Sequence, residues 1–116
     1  RATINMLPEI VEAIAGKAEI FIDGGFLRGS DILKAISLGA KAVGIGKLQG
    51  WALAAAGQAG LVRALELLET EIHWTMGLLG VTNLDQLGPE HVCKAQPVTT
   101  PHEMSPFVHM PLNRVV

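Results

Sequence analysis

Two glycine-bearing turns contain the residues whose types and spacing could bind an anion. They are Asp23-Gly24-Gly25, with Arg28 shortly after it, and Gly44-Ile45-Gly46-Lys47, called Gly46-Lys47 below. Glycine lets backbone N–H groups approach a ligand closely, and the N-terminus of a following helix adds partial positive charge. Arg28 and Lys47 would add full charges. The two turns predict a phosphate-bearing ligand; the alternative is that both glycine pairs serve only tight turns.

The charged residues of these turns each have a structural interpretation as well. The Asp23 carboxylate could cap the turn that follows it, as aspartate often does. Arg28 could be a charge on the surface or facing a partner chain, and Lys47 we interpret as a phosphate contact. The sequence by itself leaves these alternatives open.

Hydrophobic periodicity predicts the elements that position these turns, in the order helix, strand, helix, strand, helix. The predicted helices cover residues 7–16, 30–39 and 53–79, and the predicted strands cover 17–22 and 42–46. Pro8 suits the first turn of its helix, Ser30 is the predicted N-cap of the next, and Gly39 suits the position just past that helix. A last helical turn and a Gly-Pro stop are expected over residues 81–89.

This order predicts an α/β fold with a parallel sheet, because each strand-to-helix unit has the length of a βαβ element. Two parallel strands alone would leave bare edges and faces, whereas such strands are usually covered on both faces. A (β/α)₈ barrel has roughly 250 residues, more than twice this chain. We therefore expect the chain to complete a barrel begun elsewhere, and the absence of an initiator Met at Arg1 fits a cut inside a longer protein.

Composition narrows the function classes. The 116 residues have a formal net charge of −2, 49% hydrophobic and 17% charged residues, and a mean hydropathy of +0.37. The charge balance argues against general nucleic-acid binding, and no apolar stretch is long enough to span a bilayer. The hydropathy indicates apolar surface that something else covers. The single cysteine, Cys93, fits a reducing compartment, so we expect a cytoplasmic protein.

The composition changes after Pro89, which divides the chain into a folded part, 1–89, and a Pro-rich extended tail, 90–116. Three of the four histidines, His91, His102 and His109, fall in this tail. No carboxylate–histidine pair of recognisable spacing accompanies them, so no metal site is predicted.

The first turn and its flanks resemble a known family. The resembling stretches are Ile20-Phe21-Ile22-Asp23-Gly24-Gly25, Arg28-Gly29-Ser30-Asp31-Ile32-Leu33-Lys34-Ala35 and Ala42-Val43-x-Ile45-Gly46. They are similar to the C-terminal part of the FMN-dependent α-hydroxy acid oxidases and dehydrogenases, which include glycolate oxidase, lactate oxidase, mandelate dehydrogenase and flavocytochrome b2. The resemblance covers roughly residues 2–88.

The resemblance implies that this chain is the last two βα units of a TIM barrel and that the FMN phosphate lies between the two turns. It implies cofactor-binding roles for Asp23, Gly24, Gly25, Arg28, Gly46 and Lys47. The reaction would be oxidation of a 2-hydroxy acid to a 2-keto acid, with a hydride equivalent passing to the flavin.

Three departures from the family's pattern qualify this expectation. The catalytic His-x-x-Arg is absent and would precede this segment, so no catalytic residue is expected here and the chain alone is expected to be inactive. Leu27 stands where the family has a phosphate-binding arginine. Lys47 stands where it has an arginine, which keeps the charge but loses the bidentate fork.

Two functions follow as hypotheses. In the first, the chain supplies the flavin-phosphate half of an oxidising enzyme and assembles with a complementary chain into a heteromeric or higher oligomeric complex. In the second, the flavin site has decayed and the chain is a non-catalytic structural subunit of an active homologue.

Overall fold

The computed structural model describes residues 1–94. Five main elements follow one another along the chain: α1 (Thr3–Ile14), β1 (Phe21–Asp23), α2 (Gly29–Ser37), β2 (Ala42–Gly44) and α3 (Gly46–Leu79). Two short 3₁₀ turns, Leu84–Gln86 and Pro89–His91, come after them. The predicted order of helices and strands is confirmed.

The two strands form a parallel sheet, and α2 is the crossover between them. Phe21 pairs with Ala42, Ile22 with Val43 and Asp23 with Gly44. Both strands therefore end at the same edge of the sheet, which we call the carboxyl edge. A small core fills the space between the sheet and the helices; its buried members are Leu7, Ile22, Phe26, Ala35 and Ala40.

Both strands are shorter and more exposed than predicted. Phe21 is 69% exposed, and Ala42 and Gly44 are exposed as well. These exposed positions agree with the expectation that two parallel strands alone leave bare faces. Coverage of the strands on both faces, expected in a completed barrel, stays a prediction.

Helix α1 begins at Thr3, four residues earlier than predicted, so Pro8 lies inside the helix rather than in its first turn. Proline lacks an N–H and removes one intrahelical hydrogen bond. The turn before Pro8 is closed by a bond from the Asn5 N–H to the Ala2 carbonyl at 3.0 Å. The helix ends at Ile14, and its C-cap Ala15, just before Gly16, is in the left-handed conformation at φ 50°.

Helix α2 begins one residue before the predicted N-cap. Arg28, in extended conformation, occupies the cap position, and no local side chain caps the helix. The prediction of Ser30 as N-cap is thus wrong. Gly39, at φ 100°, follows the end of the helix as predicted.

Helix α3 begins directly after β2, at Gly46, instead of at residue 53. Its two arms meet at a kink, where Ala56 and Gly57 leave helical geometry. Gly57 has φ 56° and ψ −138°, which favours glycine. Gly60 lies against the Ala52 carbonyl, so a side chain there would collide with backbone. Gly57 therefore allows the change of direction between the two arms of α3.

The chain continues past the predicted domain boundary into the turn Pro89–His91, which lies against α2. Residues 95–116 of the predicted tail lie outside the described residues, so the division at residue 89 stays a prediction. Within residues 1–94, no helix has the length and hydropathy of a membrane span.

Candidate functional site

The two glycine-bearing turns meet at the carboxyl edge of the sheet. Asp23 and Gly44 are register partners, and a Cβ atom on Gly44 would lie only 3.0 Å from the Cβ atom of Asp23. Gly44 therefore lets the two strand ends approach closely. The structure brings Asp23-Gly24-Gly25 and Gly46-Lys47 to one place, as the strand order predicts.

The first turn depends on glycine conformation and on two tertiary contacts. Gly24 and Gly25 have φ angles of 103° and 87°, which side chains rarely adopt. On one side, the Thr3 hydroxyl donates a hydrogen bond to the Asp23 carbonyl oxygen at 2.7 Å. On the other, Phe26 is buried in the core at 5% exposure. The backbone of the turn is thus fixed while the Asp23 side chain stays exposed.

Arg28 lies at the far end of the first turn and pairs with a residue of α3. Its guanidinium is 2.7 Å from the Glu71 carboxylate. The other carboxylate oxygen accepts a hydrogen bond from the Gly29 N–H at 2.7 Å. The pKa of Glu71 lies below its usual value, chiefly because of the hydrogen bond from Arg28 and next because of the bond from the Gly29 N–H. The hydrogen bond to Glu71 and the attraction of its charge raise the pKa of Arg28.

Glu71 therefore caps α2 from a distance of 42 residues in sequence. Such a contact neutralises the positive end of the helix, since a carboxylate near an N-terminus offsets the helix dipole. Asp31 adds a second negative charge in the first turn of α2. Neighbouring Leu27 is 40% exposed and supplies no charge to the turn.

The second turn is organised differently. Gly46 and Lys47 form the first turn of α3, which has neither a capping side chain nor an acidic residue among the described residues. The first N–H groups of a helix have no intrahelical partner. Lys47 is exposed, and a Cβ atom on Gly46 would meet no atom of residues 1–94 within 4 Å. The carboxyl edge thus presents open helix N–H groups, an ammonium group and free space.

This arrangement fits a phosphate monoester. Helix N-termini bind such groups through N–H donors and the helix dipole, and Lys47 could compensate the second negative charge. Five of the six predicted site residues, all except Arg28, lie on the two adjoining turns without a competing ion pair among residues 1–94. Arg28 is committed to Glu71, and its predicted phosphate contact stays a prediction.

Sequence reasoning missed the parts played by Thr3 and Glu71. Thr3 stands at the start of an amphipathic helix and Glu71 in the middle of a long one, where each resembles an ordinary polar residue. Only the long-range contacts distinguish them. No cluster of three His, Cys, Asp or Glu side chains that could hold a metal ion occurs within residues 1–94.

A groove of about 170 Å³ follows the outer side of β1, between this strand and α1. Met6, Ile10 and Phe21 line it and are 39%, 42% and 69% exposed. Trp74 and Leu78, on α3, are also exposed, at 71% and 89%. Clustered exposed apolar side chains often mark a surface that another segment or chain covers.

Comparison with known proteins relates this geometry to characterised enzymes. The sequence model of the FMN-dependent dehydrogenases matches residues 1–94. Human 2-hydroxyacid oxidase 1 is 51% identical over 83 residues, which are 72% of this chain and 22% of that protein. The chain thus spans about a quarter of the length of the curated relatives it matches.

Solved structures show the same likeness. A mandelate oxidase structure superposes with a TM-score of 0.68 at 50% identity, over 71% of this chain and 25% of that one. A flavocytochrome b2 structure with pyruvate bound superposes with a TM-score of 0.75 at 38% identity, over 86% of this chain and 28% of that one.

Proposed function

Because the chain belongs to the FMN-dependent dehydrogenase family, we propose that it takes part in the FMN-dependent oxidation of a 2-hydroxy acid to a 2-keto acid. In this proposal it supplies the half of the site that binds the flavin phosphate. The names of its relatives support the reaction: a 2-hydroxyacid oxidase, a mandelate oxidase and a flavocytochrome b2 with pyruvate bound.

The observation that carries the proposal is the uncapped N-terminus of α3 beside the Asp23-Gly24-Gly25 turn. FMN is a phosphate monoester, and the family's cofactor therefore fits the donors that this edge presents. When bound, FMN supplies the acceptor for the hydride equivalent. The protein must hold the cofactor in place and orient it.

Each residue of the edge then has a defined part. The Gly46 and Lys47 N–H groups donate to phosphate oxygens, and the Lys47 ammonium compensates their charge. Gly24 and Gly25 have no side chains, so the backbone of the first turn can approach the cofactor closely. Asp23 presents an exposed carboxylate at the strand end, where it can accept hydrogen bonds from the active site. Arg28 lies at the outer end of this turn, held by Glu71.

The two turns at the carboxyl edge of the sheet also support a proposal about the fold of the complete protein. We propose that the two βα units are the last two of a (β/α)₈ barrel, in which loops at the carboxyl ends of the final strands bind phosphate. The remaining strands would come from a complementary portion bearing the His-x-x-Arg, and this chain alone would be inactive. The groove beside β1 and exposed Phe21 support a further strand at that side. A cytoplasmic location is proposed from the single cysteine.

The test is flavin binding by the complete protein in which residues 1–116 lie. After mild purification we expect a flavin absorbance spectrum, and after removal of flavin we expect FMN to bind more tightly than riboflavin, which lacks the phosphate. A protein that carries no flavin and takes up none from added FMN would refute the proposal.

A pair of lysine variants locates the phosphate. Lys47→Ala should weaken FMN binding about 10-fold, the usual effect of losing one charged hydrogen bond, and leave riboflavin binding unchanged. Lys41→Ala is the matched control, because Lys41 is exposed and precedes β2 at the opposite edge of the sheet. Equal FMN affinity in the two variants would remove Lys47 from the site.

One feature favours the second candidate, a structural subunit without flavin. Leu27 supplies no charge to the first turn, and Arg28 is already paired with Glu71. In that case the assembly would be stable, its homologous active chain would bind all the flavin, and Lys47→Ala would leave the flavin content and the FMN affinity of the assembly unchanged.

A further inference from the structure

The Thr3 side chain makes a contact that its place in the sequence does not require. Thr3 is the first residue of α1, yet no side chain caps this helix, and the extended cap residue is Ala2. The Thr3 hydroxyl instead reaches the end of β1, 20 residues later, and donates to the Asp23 carbonyl oxygen at 2.7 Å. The Gly24 carbonyl oxygen lies 3.5 Å from the same hydroxyl.

The contact is also a close steric fit. A Cβ atom on Gly24 would lie 3.0 Å from the Thr3 hydroxyl oxygen, tighter than ordinary contacts, so only glycine leaves room for the hydroxyl. Gly24 has φ 103°. The glycine that allows this turn and the threonine that contacts it are therefore matched to each other.

A held carbonyl fixes more than its own position. The C=O and N–H of a trans peptide point in opposite directions within one plane. With the Asp23 carbonyl bound to Thr3, the Gly24 N–H must point away from α1. Two consecutive glycines would otherwise let this peptide rotate, because glycine populates both signs of φ about equally.

On the basis of the proposed function, we infer that Thr3 is a positioning residue for the flavin phosphate. Its hydroxyl holds the Asp23–Gly24 peptide in the one orientation in which the first turn complements the phosphate at the N-terminus of α3. It touches neither the substrate nor the cofactor. Its effect on binding passes through the direction of one peptide plane.

The experiment compares FMN with riboflavin as ligands of the flavin-free complete protein. Thr3→Val keeps the shape of the side chain and removes the hydroxyl. We expect it to weaken FMN binding about 5- to 10-fold, the effect of one hydrogen bond, with the riboflavin dissociation constant unchanged. Thr3→Ser restores the hydroxyl and should restore FMN binding.

Thr70→Val is the matched control, since Thr70 is exposed and its hydroxyl, within the described part of the chain, bonds only to the Glu66 carbonyl of its own helix, at 2.8 Å. Unchanged FMN affinity in Thr3→Val would overturn the inference. An equal loss for FMN and riboflavin, not rescued by serine, would also overturn it, because it would show a structural role. Failure of the wild-type protein to prefer FMN over riboflavin would refute the proposed function itself, which separates the two failures.

Discussion

The two strand-to-helix turns share a topology and differ in what meets the positive end of their helices. After β1, the N-terminus of α2 is met by the protein's own carboxylates, Glu71 at the Gly29 N–H and Asp31 in the first turn. After β2, the N-terminus of α3 has no such partner among the described residues and is flanked by Lys47. A helix N-terminus attracts negative charge in either case.

In the proposed function, this difference means that the first unit stabilises the fold while the second is available to a ligand. Where a carboxylate of the same chain fills the position, the helix end contributes to packing between α2 and α3. Where no carboxylate of the same chain lies at the helix N-terminus, its N–H groups and partial positive charge can attract an external anion. Two adjoining turns that both contain glycine and a basic residue can therefore have separate roles.

The largest effect on stability is expected at Gly29, where α2 packs closely against α3. A Cβ atom on Gly29 would lie 2.7 Å from the Ile72 nitrogen and the Leu68 carbonyl oxygen, which are backbone atoms and cannot move aside cheaply. Gly29→Ala should therefore separate α2 from α3 and lower the free energy of unfolding by about 2–3 kcal/mol. Urea unfolding of the complete protein measures it.

Gly77→Ala is the control for that change, because a Cβ atom there meets nothing within 4 Å. This variant should be neutral or slightly stabilising, since alanine favours a helix over glycine. If Gly29→Ala is equally neutral, the close approach of α2 and α3 does not stabilise the fold.

The next effect concerns the cap itself. Glu71→Ala leaves the Gly29 N–H without its acceptor and should lower the free energy of unfolding by about 1 kcal/mol, the usual value for a helix cap. Glu69→Ala on the same helix is the control, because Glu69 is exposed and its carboxylate lies no closer than 3.9 Å to the His73 imidazole nitrogen. Equal stability of the two variants would mean that α2 does not need the cap.

A third change would give the first turn a cation of its own. Leu27→Arg introduces a guanidinium at a position that is 40% exposed. A charged hydrogen bond to the phosphate would tighten FMN binding about 5- to 10-fold, measured by quenching of flavin fluorescence. Leu27→Gln, polar but uncharged, should give little of this gain, and the same affinity in both variants would argue that the first turn does not reach the phosphate.

The smallest effect is a dependence of stability on pH. The pKa of Glu71 in the folded chain is lowered from its ordinary value of 4.5 by Arg28 and the Gly29 N–H. Its contribution to stability is therefore complete above the unfolded-state value and is lost as the pH falls through the lower folded-state pKa.

Glu71→Gln keeps an oxygen acceptor and cannot titrate. The stability difference between wild type and this variant should therefore be constant near neutral pH and shrink below pH 4.5. Thermal unfolding of both proteins across this range checks the expectation. A difference that stays constant or grows in acid would contradict the Arg28–Glu71 pairing.

The sequence by itself determined the order of elements, the parallel sheet and the meeting of two glycine turns at one edge. These follow from local patterns: apolar spacing in the helices, short apolar runs in the strands, and glycines after each strand. Its errors were also local, since Pro8 and the glycines after Gly46 hid helical turns that the structure forms.

Only the tertiary structure decided which of the charged residues pair with one another within residues 1–94. Arg28 and Lys47 each follow a strand and a glycine-bearing turn, and the sequence predicted Lys47 as a phosphate contact but left a surface or partner-facing role open for Arg28. Glu71, 42 residues after Gly29, pairs with Arg28. The Thr3 hydroxyl bonds to the carbonyl oxygen of Asp23, which lies 20 residues later in the sequence. Local periodicity carries no information about such partners, because a hydrogen bond depends on where whole elements pack, and a side chain's neighbours in space are set by the fold rather than by its neighbours in sequence.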